Sequence, residues 1–248
     1  MFIAANWKMN LDKQSIFQFS NILQNFKFSK KVKACIFPPM TYIDYLSNMI
    51  QKVPIAVGAQ NCHFKFSGAY TGEVSPIFLK DLGCEYVIIG HSERRTLNNE
   101  ENSEVKLRAQ SAIDANLKVI LCVGESSIDR KKGNALKYIE KQLNECLPNS
   151  FENSLIAYEP IWSIGTGNIP TVSEIEEMHE YIKKITFSIL NKKINILYGG
   201  SVNIENITNI IKINNVDGVL VGGASLKAKD FLAIYTAAVK HLADSSKL

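Results

Sequence analysis

Eight short apolar runs recur along the chain, at residues 2–6, 34–37, 55–60, 86–90, 119–123, 155–159, 194–198 and 218–221. Each is continuously apolar rather than alternating, as expected for parallel strands covered on both faces. Longer amphipathic stretches separate them. Phe19, Leu23 and Phe26 recur at helical spacing, as do Leu136, Ile139 and Leu143, and Ile175, Met178, Ile182, Ile185 and Ile189. Two helix starts carry a capping-box pattern: Asn98 three residues before Glu101, and Thr171 three residues before Glu174. Strand and helix alternate eight times. That predicts a parallel α/β sheet with helical crossovers, and the count favours a closed (β/α)8 barrel over an open sheet. No linker divides the chain, so residues 1–248 are expected to form a single barrel domain; 244–248 is the only tail-like segment.

Composition narrows the class. The 248 residues are 46% hydrophobic and 21% charged, with a formal net charge of +4. This is ordinary globular usage, long enough to bury a core and only mildly favourable to an anionic small substrate. No apolar run approaches the ~20 residues of a membrane span. The first residues lack the basic lead and apolar segment of a signal peptide. Neither GxGxxG nor GxxxxGK[ST] occurs, so nucleotide binding has no support. The four histidines are scattered and show no metal-ligand spacing. Five cysteines (Cys35, Cys62, Cys84, Cys122, Cys146) are odd in number and form no CxxC. They read as buried thiols of a reduced, cytoplasmic protein; a catalytic Cys122 is the sharper, weaker reading. No metal, cofactor, nucleic acid or membrane is expected.

In a barrel, chemistry sits where strands end and βα-loops begin. Those ends supply Asn6 at the end of the first run and Lys8 after it, His91 and Glu93 after the fourth, Glu159 at the end of the sixth, Ser201 after the seventh, and Gly222 and Gly223 after the eighth. Taken singly, Lys8 reads as a solvated charge, His91 as a hydrogen-bonded structural side chain, and the glycine pairs as turns. Glu159 is odder, because a carboxylate closing an apolar strand is costly unless used or paired. The glycine pairs fall where barrels commonly bind phosphate, and glycine lets backbone N–H groups approach an anion. Together the set suits proton abstraction beside a carbonyl on a small phosphorylated substrate. From the residues alone, a phosphate-binding barrel isomerase or aldolase remains open. Segment 61–75, from Asn61 to Ser75, exceeds usual βα-loop lengths and carries Phe64, Phe66 and Tyr70. It is either a subunit contact or a loop folded on its own barrel.

Five motifs in order carry a resemblance along essentially the whole chain: Asn6-Trp7-Lys8-Met9-Asn10, Gly90-His91-Ser92-Glu93-Arg94-Arg95, Ala157-Tyr158-Glu159-Pro160-Ile161-Trp162, Tyr198-Gly199-Gly200-Ser201-Val202, and Gly218-Val219-Leu220-Val221-Gly222-Gly223. The chain resembles the triosephosphate isomerase family. The resemblance implies interconversion of dihydroxyacetone phosphate and D-glyceraldehyde 3-phosphate through an enediolate, in glycolysis and gluconeogenesis. It implies Glu159 as base, and His91 as a neutral imidazole polarising the carbonyl, a role that belongs to the family and not to the spacing. Lys8 would stabilise the enediolate, Asn6 would hold substrate oxygens, and Glu93 would be an orienting acid. Gly165, Ser201, Gly222 and Gly223 would bind phosphate, under a lid spanning 161–170. The family's dimers tip loop 61–75 toward an interface, with Thr71 reaching the neighbouring site. Two departures stand out: Ser163 where alanine is usual, and Asn168-Ile169-Pro170-Thr171 where Lys-x-Ala-Thr is common. Against an aldolase, none of the eight runs holds a lysine that could form a Schiff base. A non-catalytic barrel could have lost the base, but here Glu159, His91 and Lys8 are all present.

Overall fold

The computed structural model describes residues 1–164 and 170–245. Strands and helices follow one another as β1 (Phe2–Asn6), α1 (Lys13–Gln24), β2 (Lys33–Phe37), α2 (Ile43–Met49), β3 (Ala56–Ala59), α3 (Pro76–Asp81), β4 (Tyr86–Ile89), α4 (Ser92–Leu97), α5 (Asn102–Asp114), β5 (Lys118–Val123), α6 (Ser127–Lys131), α7 (Ala135–Cys146), β6 (Leu155–Tyr158), α8 (Val172–Leu190), β7 (Asn195–Tyr198), α9 (Ile207–Ile210), β8 (Gly218–Val221) and α10 (Ala228–Ser245). All eight strands pair in parallel, in sequence order, and β8 closes on β1 with Phe2 opposite Gly218. A Cβ at Gly218 would collide with the Phe2 carbonyl, so the seam closes this tightly only over glycine.

Alternate strand residues serve two cores, which is why the runs read as continuously apolar. Phe2, Ala4, Cys35, Phe37, Ile88, Cys122 and Leu197 point into the barrel. Ile3, Ala5, Ile36, Val87, Ile89, Leu121 and Ile156 point outward against the helices. The helices answer with apolar faces at i, i+3 and i+4: Ile16, Phe19 and Leu23 on α1, Ile139 and Leu143 on α7, and Ile175, Met178 and Ile182 on α8. Phe26 does not extend the face of α1. The helix ends at Gln24, and Phe26 packs on Phe28 and Tyr235, with ring centroids 4.9 and 6.0 Å away.

Thr171 caps α8 as the sequence predicts, its side chain exchanging hydrogen bonds with Glu174 in a full capping box. The second predicted box is absent. Asn98 closes α4, Asn99 turns at φ +54°, and α5 starts only at Asn102, with Glu101 rather than Asn98 at its N-cap. The chain reverses between the two helices because Glu100, not Glu101, is drawn inward, where it accepts from Arg94 at 2.6 Å.

His179 lies buried between the rings of Tyr158 and Tyr198, and its Nδ1 is 3.0 Å from the Asn215 carbonyl. Burial pushes its pKa down to about 4. The unfolded chain therefore binds a proton that the fold refuses between pH 6.5 and about 4. Stability is fully present above pH 6.5 and is lost as pH falls through that window, by about 3 kcal/mol in all at ~1.4 kcal/mol per unit. Urea unfolding at fixed protein concentration should show about 2 kcal/mol of this loss from pH 7 to pH 5 in the wild type and a flatter profile in His179→Gln. Parallel profiles would remove His179 from the acid response.

Candidate active site

The carboxyl ends of β1, β4, β6, β7 and β8 surround a hollow of about 340 Å³. Its walls include Asn6, Lys8, His91, Glu159, Ser201, Gly222 and Gly223. Barrel closure brings these residues together from opposite ends of the chain. Larger hollows exist elsewhere on the molecule, but this is the one at the strand ends where the predicted site residues meet.

Lys8 follows β1 in the left-handed region, at φ +51°, an uncommon conformation for a non-glycine residue. Asn6 Oδ1 accepts the Lys8 backbone N–H at 3.0 Å, and Gln60 Nε2 donates to the Lys8 carbonyl at 2.8 Å. The turn is thus held on both sides. It sends Nζ to the hollow, where it donates to Glu93 Oε1 at 2.6 Å. Glu93 itself does not line the hollow; it holds the lysine that does.

His91 and Glu159 form the buried pair of the site. His91 Nε2 is 3.0 Å from Glu159 Oε1, and Ser92 N donates to Glu159 Oε2 at 3.0 Å. Glu93 N donates to His91 Nδ1 at 3.2 Å. That contact requires Nδ1 to be bare, so the ring carries its proton on Nε2, facing the carboxylate. Burial disfavours charge on His91, but Glu159 outweighs it and lifts the imidazole above its usual pKa. Burial likewise opposes charge on Glu159, but His91, the Ser92 N–H and Lys8 hold the carboxyl below the usual glutamate range. The carboxylate sits in a close-fitting frame. A Cβ at Gly124 would collide with the Glu159 carbonyl, and one at Gly199 would come within 2.9 Å of Glu159 Cγ.

Glu125 was not singled out in the sequence, and the structure makes it the second buried acid of this end. It accepts from Tyr158 Oη at 3.1 Å, Trp162 Nε1 at 3.0 Å and Arg130 at 3.2 Å. Arg130 also lies over the Trp162 ring and pairs with Glu174 at 2.7 Å. It therefore ties the segment entering 161–170 to the capping residue beyond it. The signal was available: Glu125 is a carboxylate two residues past the apolar run 119–123, at the same end of its strand as Glu159 is of β6. Arg95 was missed too. It donates to the Gly90 carbonyl at 2.7 Å and to Asn102 at 2.6 Å, fixing the turn that precedes His91.

Ser201 donates to the Ser163 carbonyl at 2.6 Å, joining the β7 loop to the turn at Ile161–Ser163. Gly165, Gly167, Asn168 and Ile169 lie outside the described residues, so the expected lid is described only at Ile161–Ser163, Ile164 and Pro170. All five cysteines are free and buried, and burial pushes the Cys122 thiol well up, the opposite of what a nucleophile needs. Strands β2 and β5 begin one residue before the predicted runs, at Lys33 and Lys118. Both stand at the amino ends, across the barrel from the hollow. Among the described residues no cluster of His, Cys, Asp or Glu could hold a metal ion, and no helix is long and apolar enough to cross a membrane.

Loop 61–75 packs partly on itself. His63 gathers Phe64 and Tyr70, each with its ring centroid 4.3 Å away, and His63 N donates to the Val74 carbonyl at 2.8 Å. Phe66 and Tyr70 nevertheless stay 41% and 42% exposed, and Thr71 stands at the exposed tip.

The family model for triosephosphate isomerase matches residues 1–238. A triosephosphate isomerase of Rhizobium meliloti (strain 1021) is 45% identical over 242 residues, covering 95% of this chain and 94% of that protein. One from Brucella melitensis biotype 1 is 41% identical, covering 94% of each. A crystal structure of triosephosphate isomerase from Bartonella henselae superposes with a TM-score of 0.88 at 38% identity, covering 96% of this chain and 98% of that one. Sequence and fold agree over nearly the full length, so the chain belongs to the triosephosphate isomerase family and is an isomerase.

Proposed function

We propose that this hollow interconverts dihydroxyacetone phosphate and D-glyceraldehyde 3-phosphate through an enediolate, in glycolysis and gluconeogenesis, with no metal or cofactor. The observation that carries the mechanism is the His91–Glu159 pair at 3.0 Å beside the Lys8 ammonium. A substrate carbonyl that accepts the His91 Nε2 proton competes with Glu159 for it. Binding therefore frees the carboxylate to take a proton from the adjacent carbon and return it to the neighbouring one. The raised pKa of His91 depends on Glu159, so engaging the carbonyl removes that support and favours the neutral ring as donor. Lys8 and Asn6 face the developing oxyanion charge, in a cleft where such interactions are strong. Glu93 holds Lys8 in place. Ser201, Gly222 and Gly223 offer backbone to the phosphate, with Gly165 completing the cradle.

The barrel acts as one catalytic domain in the cytoplasm. It works as a homodimer through loop 61–75, where Phe66 and Tyr70 leave apolar surface to cover. Alternative barrel chemistry by Schiff base is not favoured, because the strand lysines stand at the wrong end.

A coupled assay reporting dihydroxyacetone phosphate from glyceraldehyde 3-phosphate tests the reaction, with full rate expected after exhaustive chelation. Loss of rate restored by a divalent cation, or no turnover at all, overturns the reading. Sedimentation at low micromolar concentration should report twice the 27.7 kDa chain mass; a clean monomer overturns the interface.

A further inference from the structure

At the opposite, amino-terminal end of the barrel lies a second hollow, of about 760 Å³. Its floor is made by the first residues of strands, including Phe2, Tyr86 and Leu155, all buried. Its wall carries Lys30, Lys31, Lys33, Lys118, Lys192 and Lys193, against only two acids, Glu152 and Asp217. The chain's formal net charge is +4, so this one hollow accounts for an excess of that size and leaves the rest of the molecule near balance. The isomerase reaction does not use this end.

The lysines come from three separate segments: the α1–β2 connection running into β2, the start of β5, and the α8–β7 connection, which faces Glu152 from the α7–β6 connection. Glu85 holds Lys118 at 3.1 Å, and Glu152 pairs with Lys192. The ammonium groups of Lys30, Lys33 and Lys193 have no ion pair among the described residues. Converging like charges repel unless an anion joins them.

We propose that this hollow binds a short inorganic polyphosphate chain. Lysines are mobile point charges on flexible stems, suited to several phosphates in series rather than to one fixed oxyanion. The Phe2, Tyr86 and Phe151 rings are buried, which leaves a nucleobase only the half-buried His241 ring to stack on and disfavours single-stranded nucleic acid and the base of a nucleotide. None of the large exposed apolar side chains lines the rim, which disfavours insertion into a lipid surface.

Isothermal titration of the full chain with inorganic tripolyphosphate tests this, at about 20 mM salt and with excess glycerol 3-phosphate filling the catalytic hollow. The expected result is one tripolyphosphate per chain, with affinity falling steeply as salt rises to about 150 mM. Lys33→Gln/Lys193→Gln should weaken binding about tenfold or more while leaving isomerase kcat/KM unchanged. The control Lys137→Gln/Lys141→Gln, on the exposed face of α7, should bind as wild type. Adenosine triphosphate should bind no more tightly than tripolyphosphate. Displacement by glycerol 3-phosphate, equal weakening in both double variants, or tighter binding of adenosine triphosphate would overturn the assignment.

Discussion

Glu159→Gln should lower kcat by about 10²–10⁴-fold while the barrel stays folded. The amide keeps the size of the side chain and can still accept the Ser92 N–H, which donates at 3.0 Å in the wild type. It cannot carry a proton from one carbon to the next. Glu93 already holds Lys8, so no nearby carboxylate is placed to take over. KM should change far less than kcat, because the substrate's phosphate and carbonyl contacts remain. A second readout is independent of turnover: His91 owes its raised pKa to Glu159, so its titration in the variant should move down. Activity of the Glu159→Gln variant within threefold of wild type would remove Glu159 from proton transfer.

Lys8→Met is expected to cost about 10²–10³-fold in kcat/KM, the usual magnitude for one preorganised charge facing a developing oxyanion. Lys8 is the sole lysine or arginine among the described residues lining the catalytic hollow, so nothing else there supplies a full positive charge. The stability cost should stay within about 1 kcal/mol, since the abandoned Glu93 is 45% exposed and water can solvate it. That separation of activity from stability distinguishes a charge that acts on substrate from one that props the fold. Melting temperature and steady-state kinetics on the same preparation check it. A large fall in stability with a small fall in rate would reverse the assignment.

The barrel was legible because burial on both faces forces strands to be apolar at every position. Predicted and observed strands differ by a residue or two at the ends, as at 55–60 against Ala56–Ala59. Helices were legible where an apolar stripe or a cap marks them, as with Thr171. The Asn98 box failed because spacing alone does not say which of two adjacent glutamates the tertiary structure draws inward. The site residues were readable as polar groups at strand ends, and closure of the ring explains their meeting in space. What stayed hidden was support from elements distant in sequence: Arg95 on the Cys122 carbonyl, Arg130 across Trp162 and Glu174, and the lysine ring of the far end, whose members are scattered between Lys30 and Lys193.

The five buried thiols sort by layer. Cys35 and Cys122 belong to the packing inside the barrel, while Cys62, Cys84 and Cys146 lie between the barrel and its helices. A thiol in either place reacts with an alkylating reagent only when its own layer opens to water. The protein thus carries a clock with two hands. Under pulsed alkylation and peptide mass analysis, label on the outer three timed against label on the inner two reads out whether helices peel from a closed barrel or the ring itself parts first, with no probe added to the sequence.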